Sequence, residues 1–449
     1  MKTKGSELHM ETKQYDVIII GGGISGTALL HLLSRYTDLK SIALIEKGNG
    51  IATLNSHGRN NSQTLHCGDI ETNYSLDKAL KVKAGAGMVV NYASQLPSSE
   101  HILFKYSKMV LAVGEHECDE LQERYKTFHP EYDKMEMWDA DGISRIEPNV
   151  VWGRNERIAA LGVTNDYSAV NFQALADSFV AQAKKTDTNV DVLLKTRVTK
   201  IIEHNKDFEL RTNNGILKAR SVVVSAGGHS LLFAQRMGYG HQYSCLPVAG
   251  SFYYAPDVLR GKVYTIQNDK LPFAAVHGDP DLLLKGKTRF GPTALMVPML
   301  ERHNYRTITD FMRVFSLDVS ALKVMWDLLK VSDVRNYMFK NILFEIPYIR
   351  QRLFLKDARK IVPTLQLQDL TFAKGIGGIR PVMIDKINRK LHMGEAKINP
   401  GNGIIFNMTP SPGATSCLQN AEQDVKALVE HLGCEFNQAQ LDKELKQPV

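Results

Sequence analysis

No stretch of the 449-residue chain holds 18 consecutive apolar residues; the strongest runs are "VIII" at Val17–Ile20 and "VVV" at Val222–Val224. Runs that short exclude a membrane-spanning helix. The first sixteen residues, "MKTKGSELHMETKQYD", contain neither the apolar core nor the small-residue cleavage site of a secretory signal. Cysteine is scarce: Cys67, Cys118, Cys245, Cys417 and Cys434 form no CxxC pair. An odd number at these spacings argues against a disulfide framework and against a zinc site, and the expected compartment is the reducing cytoplasm. "HGDP" and "HLGCEF" lack several ligands at metal spacing, and no nucleophile elbow is present, so neither a metal nor acyl transfer is expected. The formal charge of +7 is modest and comes with no recognition module for nucleic acid.

What is present begins at residue 15. "YDVIIIGGGISGTALLHLLSRY" reads as a strand, a glycine turn and an amphipathic helix, and "SIALIEKG" reads as the next strand of a βαβ unit. Gly21, Gly23 and Gly26 form a GxGxxG pattern, in which the first glycine makes the tight turn. The second lets backbone approach a pyrophosphate, and the third allows close packing of helix on strand. Ser25 belongs to the same phosphate-binding loop. Glu46, twenty residues after Gly26, ends the second strand and suits the hydroxyls of an adenosine ribose.

The glycine turn alone does not separate FAD from NAD. "VVVSAGGHS" (222–230), with Gly227, is a strand ending in small residues that lets backbone pass close to a bound nucleotide. No second GxGxxG exists for a nicotinamide cofactor, which favours non-covalently bound FAD reduced directly by a substrate. Strands and helices alternate with antiparallel hairpins, such as the one turning at "TNNG" (212–215). That alternation predicts an α/β fold with two interleaved domains. The FAD-binding domain is expected from 13–80, 155–243 and 370–435, and the substrate domain from 81–154 and 244–369. A helix is expected to start at Asp166 or Ser168, and another, with hydroxyl caps, at Thr415 or Ser416. Residues 317–360 read as a helical insert. From 301 to 360 the chain carries twelve Lys or Arg against seven Asp or Glu, a basic face suited to anionic headgroups.

"GGGISGTALLHLL", "NSQTLHCGDIETNY", "LPVAGSFY", "AAVHGDP", "GKTRFGPTA" and "NMTPSPGATSCLQNA" occur in this order. On them the chain resembles the malate:quinone oxidoreductases from about Tyr15 to Leu432. The resemblance implies a Rossmann-like FAD-binding domain interleaved with a β-rich substrate domain, as in D-amino-acid-oxidase-like two-domain flavoproteins. It implies oxidation of (S)-malate to oxaloacetate, with electrons passing to a membrane quinone. The expected enzyme meets the membrane peripherally, on the inner face of the cytoplasmic membrane. The alternatives are an L-lactate or L-2-hydroxyglutarate:quinone oxidoreductase and, from another class, a non-catalytic FAD-binding protein.

Oxidising a small 2-hydroxy acid needs a base for the hydroxyl proton and cations for carboxylates. His277, with Asp279 two residues on to orient it, is the expected principal base. His66, which the resemblance places beside the flavin ring, is the second candidate. Arg380 in "GIGGIRPVM" and Arg289 before "FGPTA" are the expected carboxylate-binding arginines. Gln63 and Thr64 are expected to orient the cofactor through hydrogen bonds. Pro412, Gly413, Ala414 and Thr415, at the start of the last helix, are expected to hold the flavin ring against the positive end of a helix dipole.

Overall fold

The computed structural model describes residues 13–267, 275–315, 319–392, 396–409 and 412–447. Leu317, where the helical insert was expected to begin, and Pro410–Ser411 of the last motif lie outside the described residues.

The first sheet follows from the β-branched opening strand Gln14–Ile20. It runs in the order 396–398, 404–408, 215–224, 14–20, 41–45, 189–193, and a hairpin at Val198–His204 and Asp207–Thr212 attaches to 215–224. All pairings from 404–408 to 189–193 are parallel, which requires cover on both faces. The alternation is visible in the core: Val17 and Ile19 enter one cluster, Ile18 and Ile20 the other. Each such side chain contributes about 1.5–3 kcal/mol by leaving water.

The opening helix Ile24–Tyr36 and the closing helix Cys417–Leu432 pack on one face of this sheet. Leu29 and Leu33 share a core with Leu418, Val425 and Leu428. The tail is pinned to the opening helix by a fork from Arg35 to Glu444, at 2.8 and 2.9 Å, and by Tyr36 OH at 2.7 Å. Burial works against the Glu444 carboxylate, yet the hydrogen bonds from Arg35, Gln440 and Tyr36 hold it down at about 2.

A second, mixed sheet carries eight strands, in the order 371–372, 253–256, 287–291, 277–280, 262–265, 103–113, 158–170, 136–138. A four-stranded sheet pairs Tyr243–Ala249 with Ile379–Asp385 at its centre. Two stretches that the sequence reading grouped with the nucleotide-binding segments therefore pair elsewhere. Ile158–Val170 joins Leu103–Val113 in the second sheet, and Ile379–Asp385 joins the third. Asp166 and Ser168 consequently lie in a strand. The helix after them runs Phe172–Ala183, capped by Asn171, whose side chain accepts from Ala174 N at 3.2 Å. Strand pairing outcompeted the local capping signal because Ile158–Val170 satisfies its backbone against a neighbour remote in sequence. The "TNNG" hairpin turns where expected.

The helical insert comprises Val319–Lys330, Ser332–Leu343 and Arg350–Arg359, broken around Pro347. Among the described residues, no helix is long and apolar enough to cross a membrane.

Candidate active site

A cavity of about 640 Å³ opens where the ends of the first-sheet strands meet the second and third sheets. At its floor is the glycine turn. Gly21 sits at φ +115°, and a Cβ there would lie 2.3 Å from the Ser225 carbonyl oxygen, so only glycine fits this crossing of two strands. A Cβ on Gly26 would lie 2.0 Å from the Gly21 carbonyl oxygen; this glycine serves helix–strand packing and does not line the cavity. Gly23 differs. It lines the cavity in an extended conformation, and a Cβ there would meet only Ser56 Oγ, at 3.4 Å. Protein packing thus leaves open the space in front of Gly23 that an approaching phosphate needs.

The Glu46 carboxylate closes the turn by accepting from Gly22 N at 2.8 Å and Gly48 N at 2.6 Å, and it lines the cavity. Ser56 Oγ accepts from Ile24 N, the first amide of the opening helix, at 3.0 Å. Ser25 Oγ lies 3.1 Å from Thr409 Oγ1 across the mouth, and Gly227, at φ +59°, lines the opposite wall. Ser225 also lines the cavity, and its buried Oγ has no hydrogen-bond partner. A buried hydroxyl left unpaired in a polar, glycine-floored cavity is the mark of a missing polar ligand. The residues present fit a dinucleotide of the FAD type.

The segment Gln63–His66 forms one side of the cavity. Leu65 N donates to the Ser168 carbonyl and Val170 N to the Gln63 carbonyl, each at 3.0 Å, so the segment is tacked onto the edge of the second sheet. Thr64 and His66 line the cavity. Gln63 stands behind it, with its amide nitrogen donating to the Gly58 carbonyl at 3.1 Å and its amide oxygen accepting from Leu282 N at 3.0 Å. His66 Nδ1 lies 2.6 Å from Glu71 Oε1. Burial acts against the Glu71 carboxylate, but the hydrogen bond and charge of His66, and the Lys108 ammonium beyond, hold it below the ordinary carboxylate range. An ionised Glu71 only accepts, so Nδ1 carries the hydrogen, and in the neutral form of the ring the lone pair is the one on Nε2.

The loop holding Glu71 is itself clamped. Lys108 pairs with Asp69 at 2.6 Å, both almost fully buried. Arg124 donates to the carbonyls of Gly68, Glu71, Thr72 and Tyr74, at 2.8–3.4 Å.

Arg380 lines the cavity from the third sheet and has no carboxylate partner among the described residues. Burial lowers its pKa, and Tyr337, Tyr264 and Tyr74 lie near enough to counter that. Its position is set by Asn55, whose side chain donates to the Ile379 carbonyl at 2.9 Å and accepts from Ile379 N at 3.1 Å. His66 and Arg380 thus line one and the same cavity.

His277, Asp279 and Arg289 do not line this cavity. His277 is 2% exposed; its Nδ1 lies 3.2 Å from the Ala275 carbonyl and its Nε2 3.3 Å from Asp279 Oδ2. Burial lowers its pKa to about 4, so the ring is neutral near pH 7. Arg289 is fully buried, donates to the Gly58 carbonyl at 3.0 Å, pairs with Asp281 at 3.4 Å and covers the Phe252 ring. Both sit in paired central strands of the second sheet, packed behind residues of the cavity wall: His277 stacks on Tyr264, whose hydroxyl meets Thr64, and Arg289 covers Phe252.

Pro412 and Ala414 line the cavity, whereas Gly413 and Thr415 are buried behind them. The closing helix starts at Cys417, and its N-cap, Ser416, makes no side-chain cap. Of the two hydroxyls expected to cap it, that of Thr415 is used elsewhere: it accepts from His66 N at 3.1 Å.

Residues 16–419 match the family of FAD dependent oxidoreductases (DAO). The chain is 48% identical over 447 residues to a probable malate:quinone oxidoreductase of Campylobacter jejuni, covering 97% of this chain and all of that protein. It is 45% identical over 440 residues to a malate:quinone oxidoreductase of Helicobacter pylori, covering 96% of this chain and 98% of that one. In fold it is similar to the dithionite-reduced L-alpha-glycerophosphate oxidase of Mycoplasma pneumoniae with FAD bound. That likeness has a TM-score of 0.64 at 19% identity, over 93% of this chain and 95% of that one.

Proposed function

We propose, for a chain that belongs to the FAD-dependent oxidoreductases and within them to the malate:quinone oxidoreductases, that His66, Glu71 and Arg380 carry the oxidation of malate. The enzyme converts malate and a quinone into oxaloacetate and the quinol. FAD bound in the cavity would supply the two-electron acceptor for the hydride leaving C2 and the donor for the quinone. Gly21, Gly23 and Ser25 would hold its pyrophosphate, Glu46 its ribose, and the walls at Thr64, Gly227, Pro412 and Ala414 its ring.

The chain's own residues do the rest. Arg380 takes a substrate carboxylate in a fork that lysine cannot copy, and fixes which face of C2 is presented. His66 Nε2 accepts the proton of the 2-hydroxyl as the carbonyl forms. Glu71 holds the ring in the required tautomer and stabilises the imidazolium that results. His277 and Asp279, the pair first expected to do this, stand behind the wall, so we assign them no contact with substrate. The observation that carries this reading is the presence of the His66–Glu71 pair and the unpaired Arg380 on the wall of one cavity. Anaerobic mixing of the yellow protein with malate, L-lactate and L-2-hydroxyglutarate tests it: malate bleaches the flavin fastest. Failure of malate to bleach it, or faster bleaching by lactate, refutes the assignment.

The quinone is met from the membrane surface. We assign the docking face to the helices Val319–Lys330 and Ser332–Leu343 and the turn after them. Trp326 (63% exposed), Phe339 (62%) and Tyr348 (94%) project there among Lys323, Lys330, Lys340 and Arg352. Aromatic rings among basic residues suit an anionic lipid surface, on the inner face of the cytoplasmic membrane. Phe344, in the turn after these helices, is buried against Phe354 and takes no part in that face.

A further inference from the structure

Behind Thr64 lies a buried ion pair that the chemistry above does not use. The side chains of Lys262 and Asp279 are each 1% exposed, with Nζ 3.1 Å from Oδ1. The same ammonium donates to Thr64 Oγ1 at 3.1 Å and to the Ser62 carbonyl at 3.4 Å, and both of those residues line the cavity. Its three hydrogens therefore have three oxygens. The Tyr264 hydroxyl, 2.6 Å from Thr64 Oγ1, is held well above its ordinary pKa by burial and so remains a donor. Thr64 accepts from both and gives its own hydrogen to the Ser62 carbonyl at 3.1 Å. Its hydroxyl is saturated and offers no hydrogen bond to a ligand. The pair can act on the cavity through its charges, with the cationic end at the wall and the anionic end one residue deeper.

We infer that the Lys262–Asp279 pair is a positioning element that sets the reduction potential of the flavin in this cavity. The inference rests on the reading that FAD occupies the site. A positive end at the wall favours the extra negative charge of the reduced cofactor, and an interior of low dielectric screens it weakly. Removing either partner uncovers the other, so the two removals act with opposite sign. The remaining charges that face the pair are Arg289 and Asp281, which neither removal alters, and His277, which is neutral near pH 7.

The test is the midpoint potential of bound flavin, read by equilibration with a reference dye during slow reduction without malate. K262M is read at pH 8, the side that favours a carboxylate, and D279N at pH 6, the side that favours an ammonium. Each is compared with wild type at the same pH. K262M shifts to lower potential, D279N to higher, and K262R stays near wild type. An unchanged potential in either removal variant, or shifts of the same sign, overturns the inference. If one variant fails to fold, the other decides. Loss of flavin from both would make the pair part of cofactor retention and would also overturn it. Failure of malate to bleach the wild-type protein would sink the functional reading and still leave these potentials measurable.

Discussion

Gly23 and Gly26 stand three residues apart in the same turn, and the structure predicts that alanine at each does different damage. At Gly26 a Cβ would lie 2.0 Å from the Gly21 carbonyl oxygen and 3.3 Å from Ile19 Cγ2. Real Cβ atoms essentially never come within 3.0 Å of such a neighbour, so the helix or the turn must retreat by at least about 1 Å. The turn cannot follow easily, because Gly21 N is bonded to the Ile45 carbonyl at 2.8 Å and its Cα faces Ser225. Overpacking of this kind costs about 1–3 kcal/mol, and it does so with or without cofactor. At Gly23 the Cβ meets only Ser56 Oγ at 3.4 Å, and φ −77°, ψ 179° suits alanine. G23A therefore leaves the cofactor-free fold unchanged, and its methyl group instead stands where a phosphate must approach. The expected loss is at least tenfold in FAD affinity, about 1.4 kcal/mol. The assay pairs thermal melting of the apoprotein with a fluorescence titration of FAD. If G23A binds FAD as wild type does, or if apo G26A melts at the wild-type temperature, the division of labour drawn here is wrong.

Four further outcomes follow from the same geometry. H66Q slows the reduction of bound flavin by malate by about 10²–10⁴-fold, and E71Q slows it less because it removes only the orienting carboxylate; rapid-mixing absorbance at the flavin band measures both. R380M raises KM for malate by about tenfold or more, and R380K restores little of it, since an ammonium cannot form the fork; steady-state kinetics with a soluble quinone analogue decide this. Glu444 sits below its ordinary pKa, so its contribution to stability is complete above about pH 4.5 and is lost as pH falls toward about 2. E444Q should remove that part of the acid-denaturation curve, which circular dichroism can follow. Neutralising Lys323, Lys330, Lys340 and Arg352 together weakens binding to anionic vesicles and the salt dependence of that binding; sedimentation that shows no change refutes the docking face.

What could be read from the sequence was local. The glycine turn, Glu46 and the "TNNG" hairpin depend on residues within about thirty positions of one another, and the structure has them where the spacing put them. The place of Arg380 on the cavity wall was legible for a similar reason, since "GIGGIRP" is a self-contained glycine-rich approach to the start of a strand. His277 and Arg289 lie in strands whose burial depends on neighbours far along the chain, and no local pattern says which face of such a strand meets a cavity. Lys262 and Lys108 read as surface lysines; their partners, Asp279 and Asp69, become partners only when the second sheet forms. Glu71 follows His66 by five residues in an irregular loop, a spacing with no helical or strand period, so the pair carried no signal. The missing cap at Ser416 is a further case: a serine before a helix is a sound local prediction, and the Thr415 hydroxyl beside it was claimed by a backbone amide 349 positions away.

That last bond has a consequence for how the protein is made. The cavity wall is closed by Thr415 against His66, and the strand Ile404–Met408 enters the sheet beside 215–224, so parts synthesised first wait for parts synthesised last. At roughly 5–20 residues per second, the interval between the glycine turn and the closing helix is on the order of tens of seconds. During it, the part of the opening helix that packs on the closing helix has no permanent cover. A nascent chain stopped before Ile404 should not retain FAD however well its glycine turn is formed, and cofactor uptake becomes one of the final events of folding.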